Sequence, residues 1–155
     1  MRRHRPGRWR HVHPFEPDPI NVARFDDTVG GMPDVTLHRC GLWSSSTTLR
    51  FQGSGQIGSA IDDAGTEEVP VAALDALGLG PVTLFKPDVE GAEAEALRGA
   101  AETIRRHKPK LLISAYHRAG DIGNLTALIA ELRPDYRFRL RHQSIGFLDT
   151  VIYAD

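Results

Sequence analysis

The fold of this chain is decided by the stretch Leu84-Phe85-Lys86-Pro87-Asp88-Val89-Glu90-Gly91-Ala92-Glu93-Ala94-Glu95-Ala96-Leu97. The apolar run at residues 82–85 predicts a short buried strand. Apolar residues at helical spacing follow it and predict a helix over residues 92–107. Two carboxylates, Asp88 and Glu90, therefore lie where a strand passes into a helix.

This junction has two interpretations. In open α/β sheets, ligands bind outside the carboxyl ends of the strands, which gives Asp88 a functional position. The alternative is that one acid only caps the helix and complements its positive N-terminal dipole. Capping needs one acid, whereas Glu90 and Glu93 accompany Asp88 here. We therefore expect a functional role for at least Asp88.

The rest of the chain alternates strands and helices. Helices are predicted over residues 20–28, where Asp18 suits the cap and Pro19 the first turn, and over residues 125–132. Loops are predicted at residues 41–43 and at the Gly- and Ser-rich residues 52–65. Strands are predicted at residues 12–15, 35–40, 47–51, 67–71, 110–115, 136–140 and 150–154. The last two strands are expected to form an antiparallel hairpin, and the alternation is typical of an α/β sheet with helices on both faces.

Charge and composition narrow the classes of function. Five of the 19 basic residues are arginines within the first ten positions, and the remaining 14 face 20 acidic residues, a formal net charge of −6. This excludes nucleic-acid binding through the body of the domain, because phosphate contacts need a basic face. We expect residues 1–11 to be a disordered tail and residues 12–155 to be the domain. The single cysteine, Cys40, and the lack of an apolar span favour a cytoplasmic protein.

Seven motifs appear in order along the chain: Phe15-Glu16-Pro17-Asp18-Pro19, Lys86-x-Asp88-Val89-Glu90-Gly91-Ala92-Glu93, Leu97-Arg98-Gly99-Ala100, Lys108-Pro109-Lys110, Tyr116-His117, Leu140-Arg141-His142 and Thr150-Val151-x-Tyr153-Ala154. From about Val12 to the C-terminus, they closely resemble the FkbM family of S-adenosylmethionine-dependent methyltransferases. The resemblance implies a Rossmann-like class I methyltransferase sheet. It also implies methyl transfer to a hydroxyl of a sugar or natural-product acceptor.

The same resemblance implies a cofactor site. Glu16 stands where the family's acid holds the ribose hydroxyls of S-adenosylmethionine. Gly41 and Leu42 fall, with Cys40, in the loop that borders the adenine. Asp88 lies at a strand tip that faces both the methyl donor and the acceptor, so it belongs to both the cofactor-binding and the catalytic set.

The catalytic set implied by the resemblance is Asp88, Glu90, His117 and His142. The sulfonium is already electrophilic, so the protein must align the reactants and remove a hydroxyl proton. His117 or His142 is the expected base, and Asp88 is the expected orienting group. The alternative is that Asp88, Glu90 and a histidine hold a divalent metal; no spacing requires this, and we expect no metal ligands.

Two features depart from the family pattern. Pro87 replaces an aliphatic residue and removes a backbone donor before Asp88. Methyltransferases of this fold also begin with a strand and a Gly-rich turn, whereas only eleven residues with one glycine, Gly7, precede Val12. We therefore expect the first strand–helix unit to be missing.

Three explanations compete for the missing unit. The chain is a truncated domain with a fragmentary or late start, a degenerate relative, or one part of an assembly in which a second copy or another chain supplies the strand. Because the Gly-rich turn is missing, we expect the chain to bind S-adenosylmethionine weakly or not at all. The rival function is a non-catalytic α/β module that acts in binding or oligomer assembly.

Overall fold

The computed structural model describes residues 9–51, 67–145 and 149–155. Most of the predicted tail at residues 1–11 and the whole of the predicted loop at residues 52–65 lie outside the described residues. Within those ranges, no helix is long and apolar enough to cross a membrane.

The described residues alternate strands and helices, as expected for a mixed α/β protein. The helices are α1 (Pro19–Val29), α2 (Glu93–Gly99), α3 (Ala101–His107) and α4 (Asp121–Leu132), with a 3₁₀ turn at Leu74–Leu77. The strands are β1 (Gly41–Leu42), β2 (Thr47–Phe51), β3 (Glu67–Ala72), β4 (Leu84–Phe85), β5 (Lys110–Ser114), β6 (Phe138–His142) and β7 (Thr150–Ala154).

The strands of the described residues pair into two sheets. The first has the order β1-β3-β2, and the second has the order β4-β5-β7-β6. Strands β4 and β5 run parallel, whereas β7 is antiparallel to both β5 and β6. The predicted C-terminal hairpin of β6 and β7 is therefore confirmed.

Residues 12–15 and 35–40 do not form the regular strands that the sequence predicts, so this prediction is wrong. They meet only in two isolated parallel bridges, Val12 with Val35 and Phe15 with His38. Val12 N–H donates to the Asp34 carbonyl, and Glu16 N–H donates to the His38 carbonyl. The residue that would donate between them is Pro14, which has no N–H, so the parallel ladder is interrupted.

The existence of β1 and the end of β6 also differ from the sequence prediction. Gly41 and Leu42, predicted as a loop, form β1 because they pair in parallel with Val71 and Ala72 of β3. Strand β6 runs to His142, two residues beyond its predicted end, because His142 pairs with Thr150 of β7.

The predicted single helix over residues 92–107 is broken at Ala100, where φ is −110°. A side chain distant in sequence supplies a new helix start. Asp75, in the 3₁₀ turn, accepts the N–H groups of Glu102 and Thr103 at 2.8 and 2.9 Å. These are first-turn donors of α3 that would otherwise lack intrahelical partners.

The core lies between the helices and the four-stranded sheet. Leu97, Ile104, Leu111, Ile113 and Ile129 are fully buried there. Helix α2 also packs directly on the segment after β1: a Cβ on Gly99 would lie 1.9 Å from the Trp43 carbonyl oxygen. This packing fixes the C-terminal end of α2 against the segment after β1.

Candidate active site at the ends of β4 and β5

The parallel pairing of β4 and β5 brings two polar segments together. Leu84 pairs with Lys110 and Phe85 with Leu111, so both strands end at the same edge. Beyond β4, the Pro87 carbonyl still accepts the N–H of Ser114 at 3.3 Å. Pro87 is buried and occupies the position whose N–H would donate to the Leu112 carbonyl, so its missing donor ends the regular pairing of β4 at Phe85.

His117 lies at the centre of an acidic cluster, which we define as Asp88, Glu90, Glu93 and His117. Its Nδ1 is 2.9 Å from Glu93 Oε1. Its Nε2 is 3.5 Å from Glu90 Oε2 and 3.8 Å from Asp88 Oδ1. The His117 side chain is only 9% exposed, and neither ring nitrogen meets the angular geometry of a hydrogen bond with any described residue. The imidazole is thus buried against carboxylates without a defined proton partner.

Glu93 is the most buried acid of the cluster, with 1% of its surface exposed. Its Oε1 accepts the backbone N–H groups of Val89 at 3.0 Å and Gly91 at 3.4 Å. These bonds fix the loop between β4 and α2 and compensate part of the cost of burying the carboxylate.

Asp88 is held by Tyr116 on the neighbouring segment. The Tyr116 hydroxyl donates to Asp88 Oδ1 at 3.1 Å, and its ring packs 4.1 Å from the His117 ring. Burial, followed by the negative charge of Asp88, raises the pKa of Tyr116 to about 12. Tyr116 therefore remains a donor at neutral pH. The second oxygen of Asp88 lies 3.5 Å from Lys86 Nζ.

The loop that carries Glu90 has an unusual backbone. Glu90 has φ of 53° and Gly91 has φ of 91°. The first value is uncommon for a residue with a Cβ, and such conformations concentrate at functional sites. A Cβ on Gly91 would lie 2.9 Å from Arg118 Nε, so any larger residue at this position would have to displace the Arg118 side chain.

His142 lies apart from the cluster. It ends β6, is exposed, and its Nδ1 lies 2.8 Å from Thr150 Oγ1. Because β7 lies between β5 and β6, His142 is two strands from β5, roughly 10 Å at the usual strand spacing. The two predicted bases therefore share an edge of the sheet but differ in environment.

The predicted cofactor residues lie around β1. Glu16 is half-buried, and its Oε1 accepts the N–H of Asp18 at 2.8 Å. Gly41 is adjacent: a Cβ there would lie 3.9 Å from Pro17 Cγ. Leu42 is 6% exposed and packs into the core, so only its backbone faces outward from the strand.

Sequence reasoning gave too little weight to Glu93 and Tyr116. Both residues belong to the quoted motifs, but neither belongs to the predicted catalytic or cofactor-binding set. The signal for Glu93 was its place directly after the Glu90-Gly91 turn, where a first-turn acid can reach back to loop N–H groups. The signal for Tyr116 was its adjacency to His117 at a strand end.

Comparison with known proteins gives two matches. Residues 1–140 match the family model described as the methyltransferase FkbM domain. This match starts before Val12 and ends before β7, unlike the extent inferred from the motifs. No curated protein sequence matches the chain.

Among solved structures, the chain is similar to the crystal structure of methyltransferase FkbM from Methylobacillus flagellatus KT. The two are 33% identical, with a TM-score of 0.76. The similarity covers 94% of this chain and 36% of the other, so this chain spans about a third of that relative.

Proposed function

The chain belongs to the FkbM methyltransferase family, and on that premise we propose that it transfers a methyl group from S-adenosylmethionine to a hydroxyl of a sugar or natural-product acceptor. The observation that carries the proposal is the buried imidazole of His117 among three carboxylates at the ends of β4 and β5. Ligands of α/β proteins bind at this edge. A Rossmann-like class I sheet is part of the same proposal.

The residues assigned to the adenosine half of the cofactor fit it in chemical type. Glu16 offers carboxylate oxygens at the end of a chain segment, as acceptors for ribose hydroxyls, and Gly41 lies beside the same segment. Leu42 contributes its backbone, because its side chain packs into the core. When bound, S-adenosylmethionine supplies an electrophilic methyl group, so the protein needs only to position the acceptor and accept a proton.

We assign the positioning of the acceptor to Asp88. Its carboxylate is 38% exposed on the side chain and can accept the acceptor's O–H, while Tyr116 fixes one of its oxygens. In the reaction, the acceptor's O–H bond breaks and its proton passes to a histidine, while its oxygen bonds to the methyl group that would leave the sulfonium, releasing S-adenosylhomocysteine. Glu90 completes the negative edge that favours a cationic donor.

Two histidines can take this proton. His117 Nε2 lies 3.8 Å from Asp88, the residue assigned to position the acceptor. His142 is exposed and lies two strands away, where proton exchange with water is direct. General-base catalysis by either one is worth about 10²–10⁴-fold in rate.

The test measures S-adenosylhomocysteine formed by the chain from S-adenosylmethionine with a panel of sugar and polyketide hydroxyl acceptors. Asp88→Asn should lower the rate at least about 100-fold, as should substitution of the histidine that acts as the base, in His117→Gln or His142→Gln. Glu95→Gln is the control, because Glu95 lies on the same helix and pairs with Arg98 outside the cluster. Full activity in Asp88→Asn and both histidine variants would move the site elsewhere.

Cofactor binding distinguishes the proposed methyltransferase from the rival function, a non-catalytic α/β module. A non-catalytic module should bind neither S-adenosylmethionine nor S-adenosylhomocysteine in calorimetry. A catalytic domain should bind at least one of them, and Glu16→Ala should weaken that binding because the ribose acceptor is lost.

A further inference from the structure

We propose that the acidic cluster binds a divalent cation through Asp88, Glu93 and His117. One donor atom from each of these residues lies within 4.8 Å of the donor atoms of the other two. Donors that share a cation at about 2.0–2.3 Å lie at most about 4.6 Å from one another. The three side chains therefore need only a small contraction to bind one ion.

A cluster of acids alone would not indicate a ligand, but His117 supplies an independent observation. Its side chain is more than nine-tenths buried, and both ring nitrogens lack a hydrogen-bond partner among the described residues. Buried polar atoms are nearly always paired, so an unpaired buried imidazole needs a partner. Its two nitrogens face Glu93 on one side and Asp88 with Glu90 on the other.

The charge balance also favours a cation. Asp88, Glu90 and Glu93 carry a formal charge of −3 around one imidazole. Lys86 Nζ lies 3.5 Å from the outer oxygen of Asp88, and the Arg118 side chain lies beside Gly91. Neither forms an ion pair with Glu93, and within the described part of the chain its Oε1 contacts two backbone N–H groups and the His117 ring. A buried carboxylate next to a second one is costly unless a positive charge is shared.

The ligand set indicates the kind of ion. Two carboxylates with one imidazole suit Mn²⁺ or Zn²⁺ better than Mg²⁺, which prefers oxygen ligands and retained water. Three protein ligands leave coordination positions open, as in catalytic sites. Because Asp88 is partly exposed, one open position faces the edge where the acceptor is proposed to bind.

A cation held by the acidic cluster would give the two histidines different roles, an assignment that rests on the proposed function. It would bind the acceptor's hydroxyl oxygen and lower its pKa. His117 is then a cation ligand and is not free to act as base. The released proton would pass through solvent water to His142, which has an exposed ring two strands away.

The test uses Mn²⁺ alone, without cofactor or acceptor, so that it does not depend on turnover. Calorimetry of the chain should show one saturable Mn²⁺ site. Asp88→Asn and His117→Gln should each weaken it at least tenfold, and Glu95→Gln should leave it unchanged. Asp88 is partly exposed, so its variant is expected to fold, and circular dichroism of the metal-free variants checks this.

Electron spin echo measurements identify the nitrogen ligand. The wild-type chain with bound Mn²⁺ should show coupling to a ¹⁴N nucleus, and His117→Gln should lose it. No saturable Mn²⁺ binding, binding retained in both variants, or a bound ion without ¹⁴N coupling would each overturn the site. A chain that binds Mn²⁺ but transfers no methyl group would contradict only the proposed function, and transfer that persists in a chelator would contradict only the catalytic role of the ion.

Discussion

Glu93 Oε1 lies 2.9 Å from His117 Nδ1, and both side chains are buried. Glu93 begins α2 and His117 follows β5, so this contact joins the two segments that form the site. The same oxygen accepts the N–H groups of Val89 and Gly91. Glu93 therefore stabilises the loop between β4 and α2 as well as the position of the imidazole.

Substitution of Glu93 should destabilise the fold. Glu93→Ala removes two charge-assisted hydrogen bonds and the carboxylate that lies 2.9 Å from a buried imidazole, which should lower the free energy of unfolding by about 2–4 kcal/mol. Glu93→Gln keeps one acceptor oxygen and should cost less. Urea unfolding followed by circular dichroism measures both values.

Glu95→Ala is the matched control for Glu93, because it lies two residues later on the same helix. Its ion pair with Arg98 is at the surface, so the change should stay within about 0.5 kcal/mol. Equal losses for Glu93→Ala and Glu95→Ala would show that the buried contacts of Glu93 contribute little.

Local sequence patterns predicted the strand ends and the hairpin better than the pairing of the strands into sheets. The junction at Asp88, the strand end before His117 and the β6–β7 hairpin follow from local patterns and from the rule that parallel strands end at one edge. These features need no information on distant contacts. The mixed α/β class and the family resemblance, which also follow from local motifs, are confirmed by the family model and the similar crystal structure.

What the sequence did not predict depends on contacts between distant residues. The break between α2 and α3 requires Asp75, 27 residues before Glu102, to cap the new helix. The interruption near Pro14 depends on which partner strand it meets. The burial of Glu93 likewise depends on where β5 delivers His117.

Gly99 should tolerate no side chain. A Cβ there would lie 1.9 Å from the Trp43 carbonyl oxygen and 3.2 Å from Ala73 Cα, and both contacts are with backbone. Gly99→Ala should therefore force α2 away from the segment after β1 and cost about 2 kcal/mol or more, measured by thermal or urea unfolding.

The control for Gly99 is Gly123→Ala within α4. A Cβ on Gly123 meets no atom within 4 Å. Alanine is the better helix former, so this variant should gain up to about 1 kcal/mol. A loss at Gly123 similar to that at Gly99 would contradict the packing argument.

Lowering the pH should reduce the folding stability of the N-terminal segment because of a pair of histidines. His13 Nδ1 lies 3.0 Å from His38 Nε2. Burial, then the nearby His11, lowers the pKa of both rings from 6.5, and the charge of His38 adds to the effect on His13. The unfolded chain thus binds protons more readily than the folded one, so stability is full above about pH 6.5 and falls as the pH drops through that value.

Thermal unfolding at pH 7.5 and 5.5 measures this effect. His38→Gln should reduce the loss of melting temperature between the two values, because one ring of the pair no longer titrates. His142→Gln, at an exposed strand end, should keep the wild-type difference. An unchanged pH dependence in His38→Gln would assign the acid sensitivity to other groups.

The left-handed backbone of Glu90 gives a prediction that separates strain from side-chain contacts. At φ of 53°, a residue with a Cβ costs about 1 kcal/mol relative to glycine. Glu90→Gly and Glu90→Ala both remove the carboxylate that lies 3.5 Å from His117 Nε2, but only the glycine variant relieves the strain. Glu90→Gly should therefore be about 1 kcal/mol more stable than Glu90→Ala in urea unfolding. The same pair at Glu102, a helical position in α3, should show the opposite order, because glycine is the poorer helix former by a similar amount. If alanine is the more stable residue at both positions, the backbone at Glu90 is not left-handed in solution, and the loop that presents the acidic cluster has a different conformation.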